Sequence, residues 1–138
     1  MTPAIKIDYL DHVAIRVKDL EVSVNWYQKV LGLKKTKLKE WGEFPIFMLS
    51  GRSGVALFPA KLEDEKLDES SKNVGIDHFA FNVDRENFEM AIQTYSDLGL
   101  EFEIKDHHYF DSIYTKDPDG HVVELTSIKV NEKEFYKE

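Results

Sequence analysis

The sequence predicts an α+β fold built from two βαβββ modules, and three observations predict it. The segment Leu10-Asp11-His12-Val13-Ala14-Ile15-Arg16-Val17 returns as Ile76-Asp77-His78-Phe79-Ala80-Phe81-Asn82-Val83. Each copy leads into a helix-period stretch that closes on Leu-Gly-Leu, at 31–33 and again at 98–100. Each helix is then followed by three short strand-like segments. A repeat on this scale marks two copies of one supersecondary unit. At 138 residues the chain is one domain by length, with module 1 over about 8–60, a linker over 61–75, module 2 over about 76–128 and a charged tail over 129–138.

Each element has a local reason. In the first strand Val13, Ile15 and Val17 fall on one face and His12, Ala14 and Arg16 on the other. Asp19 is placed to cap a helix through Leu31, with Leu20, Val24, Tyr27 and Leu31 as its buried stripe and Gly32 as its stop. Lys34 to Trp41 reads as an exposed strand, Phe44 to Ser50 as a buried one, Gly51 to Gly54 as a turn and Val55 to Phe58 as the last strand. Leu62 to Lys72, nearly all charge and serine, reads as a solvated linker.

The second half repeats the order. Ile76 to Val83 is a strand, and Asp84 caps a helix whose stripe is Phe88, Ala91, Ile92 and Tyr95, ended by Gly99. Glu101 to Lys105, Phe110 to Lys116 and Val122 to Ser127 follow as strands. Asp117-Pro118-Asp119-Gly120 is a turn signal between the last two. The tail after Lys129 reads as loose or briefly helical.

Composition excludes several function classes. A formal charge of −8 lacks the basic footprint of a nucleic-acid binder. The absence of cysteine removes disulfides, thiolate metal sites and cysteine nucleophiles together. Residues 1–6 carry no apolar signal-peptide core, and no apolar run is long enough to span a membrane, so a cytoplasmic protein acting on a small molecule is expected.

One helix per module covers one sheet face and leaves the other for a concave surface. His12, Ala14, Arg16, His78, Ala80 and Asn82 share that parity, a mixture that a closed apolar core does not need. Aligning the two last strands sets Val55-Ala56-Leu57-Phe58 against Val122-Val123-Glu124-Leu125, so that Leu57 matches Glu124 and Glu124 joins the histidines. A carboxylate amid apolar neighbours is costly to bury unless something pairs with it. Arg16 is one such partner. A divalent metal is another, and His12, His78 and Glu124 then form a two-histidine, one-carboxylate set with open coordination positions. Singly, each residue is more often structural. Placed together by a repeat, they favour a metal.

These features resemble the vicinal oxygen chelate superfamily, which includes glyoxalase I, extradiol dioxygenases, fosfomycin-resistance proteins and bleomycin-binding proteins. The resemblance runs from Leu10 to Ser127, on the repeated Asp-His strand, Trp26-Tyr27 before Leu31-Gly32-Leu33, and Asp117 to Gly120 followed by Glu124. It implies βαβββ modules curling mixed sheets around a cupped metal and substrate cavity, paired within one chain or across a homodimer. It carries the ligand roles onto His12, His78 and Glu124.

The branch is less determined. Leu57 stands where glyoxalase I is expected to place a glutamate. Asp111-Ser112-Ile113-Tyr114 resembles the penultimate strand of the fosfomycin group, but Ala14 replaces its threonine and Asp106-His107-His108-Tyr109 replaces its cation loop. His107, Ile113-Tyr114, the Asp117 turn and Glu124 resemble the extradiol pattern, in which the histidine and tyrosine stand beside the bound oxygens. That pattern makes Tyr114 and His107 the catalytic candidates and an extradiol-like dioxygenase with Fe(II) or Mn(II) the first expectation. A lyase, isomerase or thiol transferase using Zn(II), Ni(II) or Mn(II) is the alternative, and a metal-free drug-binding protein is the rival from another class. Arg16, Asn82, Trp41 and Phe47, with Phe44 and Met48, are expected either to line the substrate pocket or to pack in the core.

Overall fold

The computed structural model describes residues 5–66 and 68–136. Leu67 in the expected linker, the first four residues and the last two residues of the tail lie outside the described residues. The chain divides into two compact units on either side of the Lys61–Leu62 bond. The first contains β1 (His12–Val17), α1 (Leu20–Leu31), β2 (Lys34–Thr36), β3 (Ile46–Ser50) and β4 (Ser53–Pro59). The second contains β5 (Phe79–Asn82), α2 (Arg85–Asp97), β6 (Phe102–Asp106), β7 (Phe110–Lys116), β8 (Val122–Ile128) and the single turn α3 (Glu132–Phe135).

Each unit holds one four-stranded mixed sheet. The orders β1-β4-β3-β2 and β5-β8-β7-β6 are the same topology twice. The first strand of each unit runs parallel to the last, and the other pairs are antiparallel. This is the predicted α+β architecture.

The helices start and stop where side-chain chemistry dictates. Asp19 accepts a hydrogen bond from the Val22 amide at 3.1 Å, and Asp84 accepts from the Asn87 amide at 2.8 Å. Each cap satisfies a donor that the helix itself leaves unpaired. Gly32, at φ 66°, closes α1 in the left-handed region while the Leu33 amide bonds back to the Tyr27 carbonyl. The buried face of α1 is Ser23, Val24, Tyr27 and Val30, with Leu20 and Leu31 only half-buried at its margin. The expected stripe is therefore right in its centre and displaced at both ends. In α2, Phe88, Ala91 and Tyr95 are buried as expected, and Ile92 is half-buried.

Several strand boundaries differ from expectation; β4 begins at Ser53, within the expected turn, and β6 runs from Phe102 to Asp106. Lys34 to Trp41 is not one strand: β2 stops at Thr36, and Lys39–Trp41 forms a 3₁₀ turn closed by Gly42 at φ 76°. Its ladder partner β3 begins at Ile46, just after Pro45, and β2 pairs Lys34, Lys35 and Thr36 with Leu49, Met48 and Phe47. In the second unit β5 begins at Phe79, so His78 immediately precedes its strand whereas His12 opens β1.

The register corrects one alignment. Ala14 pairs with Ala56 and Ile15 with Leu57 in the first sheet, while Ala80 pairs with Glu124 and Phe81 with Leu125 in the second. The counterpart of Glu124 is therefore Ala56, not Leu57. Directly paired residues share a face. Leu57 thus belongs with Ile15 and Ile46 in the buried face, and all three are under a tenth exposed. Met48 lies on that face too and is fully buried, so it is core and not pocket wall.

Candidate functional site

The second unit builds its half of the site on β8 and β7. Asp117 fixes the approach to β8: its carboxylate accepts from the Asp119 and His121 amides, each at 2.9 Å. Glu124 follows in the strand, 4% exposed, between the buried Val123 and Leu125. Its neighbours across the same sheet face are Ala80 on one side and Tyr114 on the other.

His78 meets Glu124 at 2.8 Å through Nε2, and its Nδ1 lies 2.7 Å from Asp77 Oδ1. Two carboxylates therefore bracket one imidazole ring. A neutral ring that donates from Nδ1 to Asp77 presents a bare lone pair at Nε2 toward Glu124. Only a positive centre between those atoms, a second proton or a metal ion, resolves that contact. The hydrogen bond from the His78 ring holds Asp77 below the usual carboxylate range.

The first unit repeats half of this arrangement. His12 Nδ1 lies 2.8 Å from Asp11 Oδ1, which leaves Nε2 as its free lone pair. Its ring packs edge-on against Phe47 at 4.9 Å, just as His78 packs against Tyr114 at 5.7 Å. Among the described residues no group of three or more His, Asp or Glu side chains is placed to hold a metal ion. The second unit brings His78 and Glu124 together, and the first holds His12 by the same kind of aspartate contact.

His107 and Tyr114, chosen from sequence, do come together: His107 Nε2 lies 2.9 Å from the Tyr114 hydroxyl. Burial, followed by the Glu124 charge beside it, raises the Tyr114 pKa above its ordinary value. The hydroxyl therefore keeps its proton at neutral pH and can donate it to an acceptor. Lys105 sits over the ring face at 5.4 Å.

The other pocket candidates sort by contact. Arg16 donates to the Pro59 carbonyl at 2.9 Å and lies over the Phe58 ring. Asn82 reaches the Thr126 carbonyl at 3.5 Å. Trp41 packs on Phe47 at 5.3 Å and is 42% exposed.

Sequence reasoning missed two features. Asp11 and Asp77 act directly on the histidines, a role signalled by the repeated Asp-His pair. Ser112 is fully buried with its hydroxyl unpaired, two residues from Tyr114 on the same strand face; an ordinary Ser in a strand carries no such signal.

Comparison with known proteins agrees with this geometry. The profile of the glyoxalase/bleomycin resistance protein/dioxygenase superfamily matches residues 9–125. A metallothiol transferase FosB of Staphylococcus saprophyticus is 30% identical over 136 residues, covering 96% of this chain and 85% of that protein. The crystal structure of the fosfomycin resistance protein FosX from Mesorhizobium loti superposes with a TM-score of 0.67 at 28% identity, over 93% of this chain and 98% of that one. A glyoxalase/dioxygenase structure from Nostoc punctiforme shares the fold at TM-score 0.74 and 18% identity, over 94% of this chain and 100% of that one. FosB and FosX lie with the fosfomycin-resistance-like alternative, the Nostoc punctiforme structure shares the fold alone, and the ring-cleaving dioxygenase expected first is not supported. Among the described residues no helix is long and apolar enough to cross a membrane.

Proposed function

The chain belongs to the glyoxalase/bleomycin resistance protein/dioxygenase superfamily, and on that premise we propose that it is a metal-dependent transferase joining a thiol to a small electrophile. The electrophile is held through two adjacent oxygens. His78 and Glu124 from the second unit and His12 from the first hold one divalent ion, with the units paired within one chain or across two copies. When bound, that ion supplies Lewis-acid polarisation of the chelated oxygens.

The single observation that carries this reading is the His78–Glu124 contact at 2.8 Å with Asp77 behind the ring. A buried carboxylate facing an imidazole lone pair is a site arranged for a cation. The protein's own residues have distinct parts in the reaction. Asp77 and Asp11 fix the ring tautomers so that each Nε2 is a ligand. Tyr114, protonated at neutral pH, donates a hydrogen bond to charge that develops on substrate oxygen, and His107 holds that hydroxyl in place. The thiol itself comes from a cosubstrate, since the chain has no cysteine. Two imidazoles and one carboxylate would accept Mn(II), Fe(II), Ni(II) or Zn(II).

The test is elemental analysis of protein re-exposed anaerobically to Mn(II), Fe(II), Ni(II) and Zn(II), followed by thiol-consumption assays on epoxides. About one ion per site, absent from Glu124→Ala, with metal-dependent thiol loss, is expected. Absence of metal from the unmutated protein would refute the reading.

A second reading, ring-cleaving dioxygenase, rests on the His107–Tyr114 hydrogen bond. Oxygen uptake on catechols by Fe(II)-loaded protein would favour it.

A further inference from the structure

The repeat makes the two halves directly comparable, and the comparison shows a division of labour. Across the site face of the second unit the paired row reads Ala80, Glu124, Tyr114. The equivalent row in the first unit reads Ala14, Ala56, Phe47. At the position of the carboxylate stands a methyl group, and at the position of the phenol stands a phenyl ring. The histidine remains in both. The first unit has thus kept its ligand candidate and replaced everything polar beside it with apolar surface.

That surface continues outward. His12 packs on Phe47, and Phe47 packs on Trp41, with ring centroids 4.9 and 5.3 Å apart. Trp41 stands on the 3₁₀ turn that replaces the expected extension of β2, so the turn brings its indole back over β3. Phe44, on the same connection, is 43% exposed. Half-exposed aromatic rings that lead to a ligand histidine are costly to leave in water and mark a place where something binds.

We propose that the first unit carries a subsite for a flat, apolar ring on the molecule bound at the metal, formed by Phe47 and Trp41 beside His12. The proposal rests on the reading that His12 is a ligand, because that continuity is what makes the occupant the reacting molecule. Its substrate class is therefore an aromatic or similarly planar compound whose two chelating oxygens lie within about one ring width of the apolar group.

Matched chelators test it. Benzohydroxamate and acetohydroxamate present the same two adjacent oxygens and differ only in phenyl against methyl. Binding of each to Mn(II)-loaded and metal-free protein is measured by calorimetry and corrected for its affinity for free Mn(II). The expected result is about tenfold or greater preference for benzohydroxamate by the loaded protein. Phe47→Leu, which keeps apolar volume but loses the ring, and Trp41→Ala should each remove most of that preference.

Equal affinity on loaded protein, or a preference that survives both substitutions, overturns the subsite and leaves the metal reading intact. A phenyl preference that is equally strong without metal shows apolar binding independent of chelation and overturns the proposal, while the elemental analysis decides the metal reading separately. Conversion of a dimer to a monomer by Trp41→Ala, measured by light scattering, shows that a second copy covers this face and also overturns the proposal.

Discussion

Replacing Asp77 with Asn tests the site through a group that never touches the metal. Asn keeps the shape and an acceptor oxygen, so the change removes charge and little else. Asp77 Oδ1 lies 2.7 Å from His78 Nδ1. Adding about 2.2 Å across the ring and about 2.1 Å to a bound ion places the carboxylate roughly 7 Å from a charge of +2. The Asp77 side chain is 73% exposed, so the dielectric of water screens that attraction and the loss is modest. A metal affinity about tenfold weaker is expected, the low end of the range for groups that orient a ligand histidine.

Asp11 makes the same contact with His12 at 2.8 Å and is 68% exposed. Asp11→Asn should therefore weaken the same affinity by a similar factor, provided His12 binds the same ion. Competition titration of Mn(II) against a chelator measures both, and both losses should shrink at high ionic strength. An unchanged affinity in Asp77→Asn would refute the reasoning outright. A loss in Asp77→Asn alone would remove His12 from the ligand set.

Three further outcomes follow from the packing. Glu124→Leu should abolish metal binding while leaving the metal-free protein as stable as before or up to about 2 kcal/mol more stable, because an apolar side chain replaces a desolvated carboxylate; a marked fall in its melting temperature would mean that Glu124 holds the strand. Gly54→Ala should cost about 2–4 kcal/mol in a denaturant titration and weaken metal binding with it, since a Cβ there meets the Met48 carbonyl and Gly54 is the ladder partner of His12. Lys129 bonds to Asp106 at 2.8 Å, holding that carboxyl below its ordinary 3.8 and its own amine above the ordinary 10.5. The contribution of this pair is present between those ordinary values, lost in acid as pH falls through the depressed value and lost in base as pH rises through the raised one. The stability difference between wild type and Lys129→Met should trace that plateau; a difference constant from pH 3 to 11 would rule the ion pair out as its cause.

Much of the fold and half of the site were legible in the sequence for physical reasons. Asp19, Gly32 and Asp84 announce helix ends because each solves a specific backbone problem. Glu124 announces its face because it is the one charge in an otherwise apolar strand core. The one-residue misalignment of Leu57 has an equally physical origin. Gly54, Val55, Ala56 and Leu57 are all buried, so β4 is apolar on both faces and alternation carries no register signal. Only the ladder to β1 fixes it, and a slip of one residue exchanges the two faces. The length of β2 was hidden likewise: it ends at Thr36 opposite Phe47, and the 3₁₀ turn that follows has no strand-breaking residue before Gly42 to announce it.

The corrected register changes what the repeat means. With Leu57 opposite Glu124, the first unit had merely lost a ligand into the core. With Ala56 opposite Glu124 and Phe47 opposite Tyr114, the site face of that unit persists and has changed character. Both histidines keep the same aspartate on Nδ1 and the same aromatic neighbour, so the device that presents a ligand was retained twice. What differs is the surface beside it: one face carries a buried carboxylate and a phenol, the other a methyl and a phenyl. Under the proposed function, the reacting groups stand on the second unit and the planar-ring subsite stands on the first.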